Sequence, residues 1–205
     1  MDTHDVVQAL FRWIHLVAGI TWIGMLYFFN LINAHVTAAL QPATRREVVP
    51  QLMPRALWWF RWGAMLTFLS GWLMIIWKYF MFGSGFYGDA GLFGSNAGLW
   101  ISLGALFGSI MWFNVWFLIW PAQQKLITWV QEGQAPDPAT AKRALYASRT
   151  NTFLSVPMLF GMLAGSGHYP SIAFAPWFLV VIALGAALVY YMLFKFSAGV
   201  AKTWP

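Results

Sequence analysis

Residues 6–36 read VVQALFRWIHLVAGITWIGMLYFFNLINAHV. Only Arg12, His15 and His35 in this run carry a charge or an imidazole. About 20 apolar residues suffice to cross a bilayer as a helix, so this stretch reads as a membrane-spanning helix with length to spare. Four further apolar stretches follow, at residues 56–82, 97–130, 151–168 and 173–201. The first, third and fifth are long enough to tilt or to project into water. The fourth is the shortest and contains Pro157. The pattern predicts an all-α fold: a polytopic transmembrane helix bundle of about five helices, forming a single membrane domain over residues 1–205.

The bulk composition agrees. Hydrophobic residues make up 60% of the chain and charged residues 9%, against about 25% charged in an ordinary soluble domain. Lipid must therefore cover part of the surface. The 14 Trp and 7 Tyr suit membrane interfaces, where an amphipathic ring has one wet and one dry neighbour. The net charge of +6 does not point to nucleic acid, because the basic residues stand at helix ends rather than in one patch. The absence of cysteine excludes a c-type haem, an iron–sulfur cluster and disulfides within these residues. The start, Met1-Asp2-Thr3-His4-Asp5, is acidic and lacks the basic region of a cleaved signal peptide, so the first apolar stretch is expected to be retained.

Orientation follows from the positions of Lys and Arg. Residues 37–55 hold Arg45, Arg46 and Arg55 among Pro50 and Pro54; residues 131–150 hold Gly133, Pro136 and Pro138 and then a short basic helix with Lys142, Arg143 and Arg149. With these two connections and the C-terminus on one side, that side also takes Arg61, Lys125, Lys195 and Lys202, leaving Arg12 and Lys78 for the other. Basic residues near helix ends stay cytoplasmic, which predicts an N-out, C-in topology. Residues 83–96, rich in Gly, Phe and Tyr with Asp89 the one charge, form the outer connection.

An ionisable group within a membrane is costly and marks a candidate site. His15 lies about ten residues into the first helix, in the outer half. Arg12, His15, Gly19 and Trp22 share one helical face at three- and four-residue spacing. A histidine nitrogen beside a glycine gap could hold a porphyrin, with Arg12 pairing a propionate. Equally, His15 could bond a neighbouring helix that Gly19 allows to approach. His168 ends the fourth helix on the same side as His15, either as a second haem ligand or as a solvated interface residue. His35 is about 30 Å from His15 along the helix and cannot share its site. His4 lies in the tail. No His, Asp or Glu grouping has metal-ligand spacing. The six acidic residues all fall in the tail or the connections, which argues against a carboxylate proton pathway. Asn30, Asn114 and Asn151 fall toward the cytoplasmic half and could cluster with Thr152 and Ser155, as a polar site or as interhelical hydrogen bonds. The pairs Gly104/Gly108 and Gly161/Gly165 read as close helix packing.

Several segments carry a family resemblance: residues 13–24, WIHLVAGITWIG; residues 56–63, ALWWFRWG; residues 114–123, NVWFLIWPAQ; residues 148–157, SRTNTFLSVP; and His168-Tyr169-Pro170. Together, and in the same order over four of the five helices, they resemble the membrane region of the urate hydroxylase PuuD family. The resemblance implies a multi-pass protein of the bacterial inner membrane tied to oxidation chemistry. Full-length members join this region to a C-terminal cytochrome c domain and are linked to urate oxidation. The present chain is shorter, has no cytochrome domain, and carries Thr150 where longer members tend to have a histidine. The resemblance therefore implies a separate electron acceptor. His15 matches the family's first-helix histidine, which strengthens the expectation of a non-covalent haem b with His15 as its iron ligand.

Two functions are consistent with the sequence. One is a membrane oxidoreductase that passes electrons from haem b to a separate cytochrome or quinone. The other is a non-catalytic accessory subunit packed in lipid against other membrane subunits of a respiratory, photosynthetic or oxygenase complex. A transporter is a weaker reading, since Pro157 is the one candidate helix break and no convincing repeat is present.

Overall fold

A computed structural model describes residues 3–81, 91–197 and 199–200. Most of the expected outer connection (residues 83–90, with Asp89), Lys202 and the end of the fifth apolar stretch lie outside these residues. Every regular element among the described residues is helical.

The chain folds into long rods. Helix α1 (Thr3–Tyr27) passes through a π-helical segment, Phe28–Asn33, into α2 (Ala34–Ala39). Helix α3 (Pro42–Ile75) ends in a π-helical turn, Ile76–Met81. Helix α4 (Asn96–Phe113) passes through the π-helical segment Asn114–Ile119 into α5 (Trp120–Glu132). Then come α6 (Pro138–Gly165) and α7 (Trp177–Tyr191), the latter followed by the π-helical turn Met192–Phe196. The first three rods hold 37, 40 and 37 residues. At about 1.5 Å per residue they reach about 55–60 Å, roughly twice the hydrocarbon thickness of a bilayer.

The excess length comes from the basic segments. Residues 42–55 form the start of α3, and residues 138–150 the start of α6. Pro42 and Pro138 occupy the first turns of these helices, where a missing N–H costs nothing. Asp137 caps α6 by accepting from the Thr140 and Ala139 backbone N–H groups at 2.9 and 3.3 Å. Hydrogen bonds from the Thr140 side chain and these amides hold its carboxyl below the usual aspartate range. Helix α5 stops at Gly133, whose φ of 73° is a left-handed conformation that favours glycine.

Hydrogen bonds show which segments share an end of the bundle. Arg46 donates to the Gly133 carbonyl at 3.3 Å, and His35 meets Ser197 at 3.0 Å. Both basic connections and the C-terminal turn therefore lie together. At the opposite end, Trp77 donates to His4 at 3.1 Å and the Phe174 N–H donates to Asn96 at 2.9 Å.

Four elements are long and apolar enough to cross a membrane: Thr3–Ala39, Pro42–Met81, Asn96–Glu132 and Trp177–Phe196. Helix α6 is not among them, and its middle carries polar groups that are fully buried. It packs against α4, α5, α7, α1 and the π segment at Asn114, and its Asn151, Thr152 and Ser155 are at most 1% exposed. Small residues let these helices touch. A Cβ on Gly161 would stand 2.8 Å from the Trp100 carbonyl oxygen and 3.2 Å from the Gly104 nitrogen. Gly185 of α7 meets Pro157 of α6 in the same way. The glycine pairs of α4 and α6 therefore form a packing seam.

Asparagines bind the seam at its lower end. Asn114 donates to Asn151 Oδ1 at 2.8 Å, and Asn151 donates to the Met111 carbonyl at 2.9 Å. Tyr27 and Ser155 hydroxyls lie 2.9 Å apart, joining α1 to α6. Asn30 donates to the Leu26 carbonyl at 2.9 Å and to Ser148 Oγ at 2.8 Å.

Two outcomes follow for thermal unfolding of the protein in detergent. Gly161→Val should lose about 1–3 kcal/mol by overpacking, while Gly108→Ala, whose new Cβ would meet only Met158 sulfur at 3.6 Å, should be near neutral. Asn151→Ala should lose about 1–3 kcal/mol by leaving the buried Asn114 side-chain amide without its partner. Adding Asn114→Ala should then cost less than it does alone, which a double-mutant cycle would detect.

Candidate functional site

The face carrying His15 packs against α3. The Thr67 carbonyl, which can only accept, lies 2.9 Å from His15 Nδ1, so Nδ1 carries the proton. Ser70 Oγ is a second, longer contact to Nδ1 at 3.3 Å. This leaves Nε2 as the lone-pair nitrogen, without a hydrogen-bond partner among the described residues. A backbone carbonyl holding one ring nitrogen while the other stays open is a common arrangement for a metal-binding histidine.

The space predicted beside it is filled. Thr67 Cγ2 lies 3.8 Å from where a Cβ on Gly19 would stand. One turn on, a Cβ on Gly63 would lie 3.2 Å from the Trp22 nitrogen and 3.3 Å from the Ala18 oxygen. The imidazole itself covers Gly71, whose Cβ position is 2.9 Å from His15 Cε1. A porphyrin laid against Gly19 would have to part α1 from α3. Arg12 is exposed on α1. His168 is exposed and pairs with Ser166 at 2.7 Å, sharing no hydrogen bond with His15. Trp22 is 1% exposed, and its indole N–H has no partner among the described residues. The donor chemistry of His15 suits a metal, but the cradle of Gly19, Arg12 and His168 does not fit a haem inside this bundle.

A second location offers more room. A cavity of about 380 Å³ opens at the basic end between the π segment Phe28–Asn33 with α2, α3, α5 and α6. This volume falls within the range of about 300–1,000 Å³ typical of small-molecule sites. Its wall is largely apolar, with Phe29 and Phe60 edge to face at 5.4 Å and with Val49, Leu57 and Ile119 beside them. Asn30, Asn33, Thr37, Gln123 and Ser148 supply polar groups, and Arg45 is the one charged residue among those lining it. Asn30 is 9% exposed. Both bonds of its amide use the nitrogen, and Oδ1 makes no hydrogen bond among the described residues. Ser148 Oγ accepts from Asn30 and has its own proton to give.

Of these residues, the sequence singles out Asn30 alone. Ser148 is 118 positions away, and no local spacing links the two. The π-helical segments that shape the wall at Asn30 and Ile119 are often found at functional sites, but the sequence gives them no distinctive period.

A third feature is an intramembrane cation. The Arg61 guanidinium lies 4.1 Å from the Trp120 ring centre and 5.0 Å from that of Trp116. Its Nε is buried without a hydrogen bond. The ring faces supply the negative potential that a counter-ion would otherwise provide.

No curated protein and no solved structure matches the chain. A family model described as urate oxidase N-terminal matches residues 87–204, a range that takes in α4, α5, α6 and α7. Asn114, Ser148 and Asn151 lie inside the matched region, and Arg12, His15, Gly19, Trp22, Asn30 and Arg45 outside it. With more than half of its 205 residues matched, this multi-pass helical membrane protein belongs to the urate oxidase N-terminal family.

Proposed function

We propose that the chain is the membrane subunit of a urate-oxidising system in the bacterial inner membrane, related to the membrane region of the PuuD urate hydroxylases. The observation that carries this reading is the family match over residues 87–204, which falls on the half of the bundle built around α6. The basic end faces the cytoplasm, because it gathers Arg45, Arg46, Arg55, Lys142, Arg143 and Arg149.

Oxidising urate removes electrons from it, and they need an acceptor. A separate cytochrome or a membrane quinone fills that role. The closed face at His15 favours a redox group held outside the α1–α3 contact. His15 then acts in positioning, by tying α1 to the Thr67 carbonyl.

Membranes from a bacterial host that does not oxidise urate provide the test. After expression of the chain they should consume urate and reduce an added cytochrome c or water-soluble quinone, while control membranes do neither. Folded chain in the membranes with no urate loss, whichever acceptor is supplied, would overturn the reading.

A further inference from the structure

We infer that the cavity at the basic end binds a planar, anionic heterocycle by its lactam edge, the side on which a ring N–H stands next to a ring carbonyl. Asn30 and Ser148 supply the matching pair. Asn30 Nδ2 is committed to the Leu26 carbonyl and to Ser148 Oγ, which fixes the amide, and both Asn30 and Ser148 line the cavity. Oδ1 accepts from a ring N–H, and the Ser148 hydroxyl donates to the neighbouring carbonyl. The bond of 2.8 Å between the two side chains places acceptor and donor side by side.

The surroundings select the rest of the ligand. Asn30 is nine-tenths buried, and a ligand N–H would give its Oδ1 a hydrogen-bond partner. Phe29 and Phe60, edge to face, give the wall apolar aromatic surface against which a ring can pack. Arg45 at the mouth is the one charge among the lining residues, and it favours an anion. A ligand lacking the N–H would leave Asn30 bare, and one lacking the charge would lose Arg45. Sites of this kind reject such analogues strongly, because their own polar groups are left unpaired. The π-helical segment Phe28–Asn33 is an independent sign of a functional wall, since the wider turn aims Asn30 across the bundle toward α6.

Urate meets each requirement, being planar, rich in lactam edges and anionic at neutral pH. Its choice as ligand rests on the proposed function; the chemistry of the cavity does not. The test uses the full chain, purified in detergent, with equilibrium binding of radiolabelled urate. One saturable site is expected. Ser148→Ala and Arg45→Gln should each weaken it by about tenfold or more. Ser148→Thr, which keeps the hydroxyl, should retain it, and adenine, which has no lactam edge and no charge, should not displace urate. Matching unfolding temperatures show that the variants fold. Binding that ignores both Ser148→Ala and Arg45→Gln would overturn the inference. So would membranes that consume urate while the purified chain shows no saturable site, an outcome that leaves the proposed function standing. Urate binding that depends on Ser148 in membranes that oxidise nothing would uphold the site and overturn the function.

Discussion

Helix α6 sets the constraint on which the bundle rests. It brings Asn151, Thr152 and Ser155 to positions at most 1% exposed, where neither lipid nor water can bond them. A polar group left bare in such a place costs several kcal/mol. Thr152 is satisfied within α6 by the Ser148 carbonyl, and the other two reach neighbouring helices. Asn151 requires Asn114 and the Met111 carbonyl on one neighbour, and Ser155 requires Tyr27 on another. The height of α6 against α1 and α4 is fixed by these demands. The individual bonds are worth little, about 0.6 kcal/mol on average in measured membrane cases. Their effect is on choice of register: a slip of one turn would expose several groups at once. The glycines then decide how closely the helices approach, and Gly161 brings α6 onto the backbone of α4 at Trp100 and Gly104.

The same chemistry explains what was readable beforehand. A polar side chain in a run of apolar ones stands out in the sequence, so the spans, His15 and the three asparagines are legible without coordinates. Space is not. Gly19 reads equally well as room for a flat cofactor or as room for a helix, and Thr67, 48 positions on, fills the room. Proline misleads in the opposite direction. Residues 37–55 have the prolines of a loop, yet Pro42 stands in a first turn, where proline starts a helix; the short basic helix expected after Pro138 is the start of a helix of 28 residues. The cavity is the least legible feature, because its walls come from four separated stretches and its polar pair spans 118 residues.

Helix length and charge act together at the basic end. A rod of 37 or 40 residues exceeds what the hydrocarbon needs, and the surplus carries Asn30, Asn33 and Arg45 beyond the midplane toward the side where Lys and Arg gather. Those cations orient a protein during insertion. Once it is folded, the same charges raise the local concentration of anions. Glu47, Glu132 and Asp137 share this end but are outnumbered by Arg45, Arg46, Arg55, Lys142, Arg143 and Arg149. A cavity opening here and lined by no carboxylate meets a field of one sign.

The π-helical segments connect packing to site. A π turn widens the helix and weakens its bonds, so it persists only where the surroundings hold it. Two of them, Phe28–Asn33 and Asn114–Ile119, face α6 and carry the asparagines that bond it, Asn30 and Asn114. In each the wider turn is offset by a buried side-chain amide that reaches a partner on α6. Asn114 is matched by Asn151 and its bonding is complete on that side. Asn30 spends its two donors on Leu26 and Ser148 and lines the cavity. The two segments obey one rule of polar satisfaction, and the difference between them is that Asn30, unlike Asn114, lines the cavity. That difference separates a helix contact from a place where a ligand can complete the set.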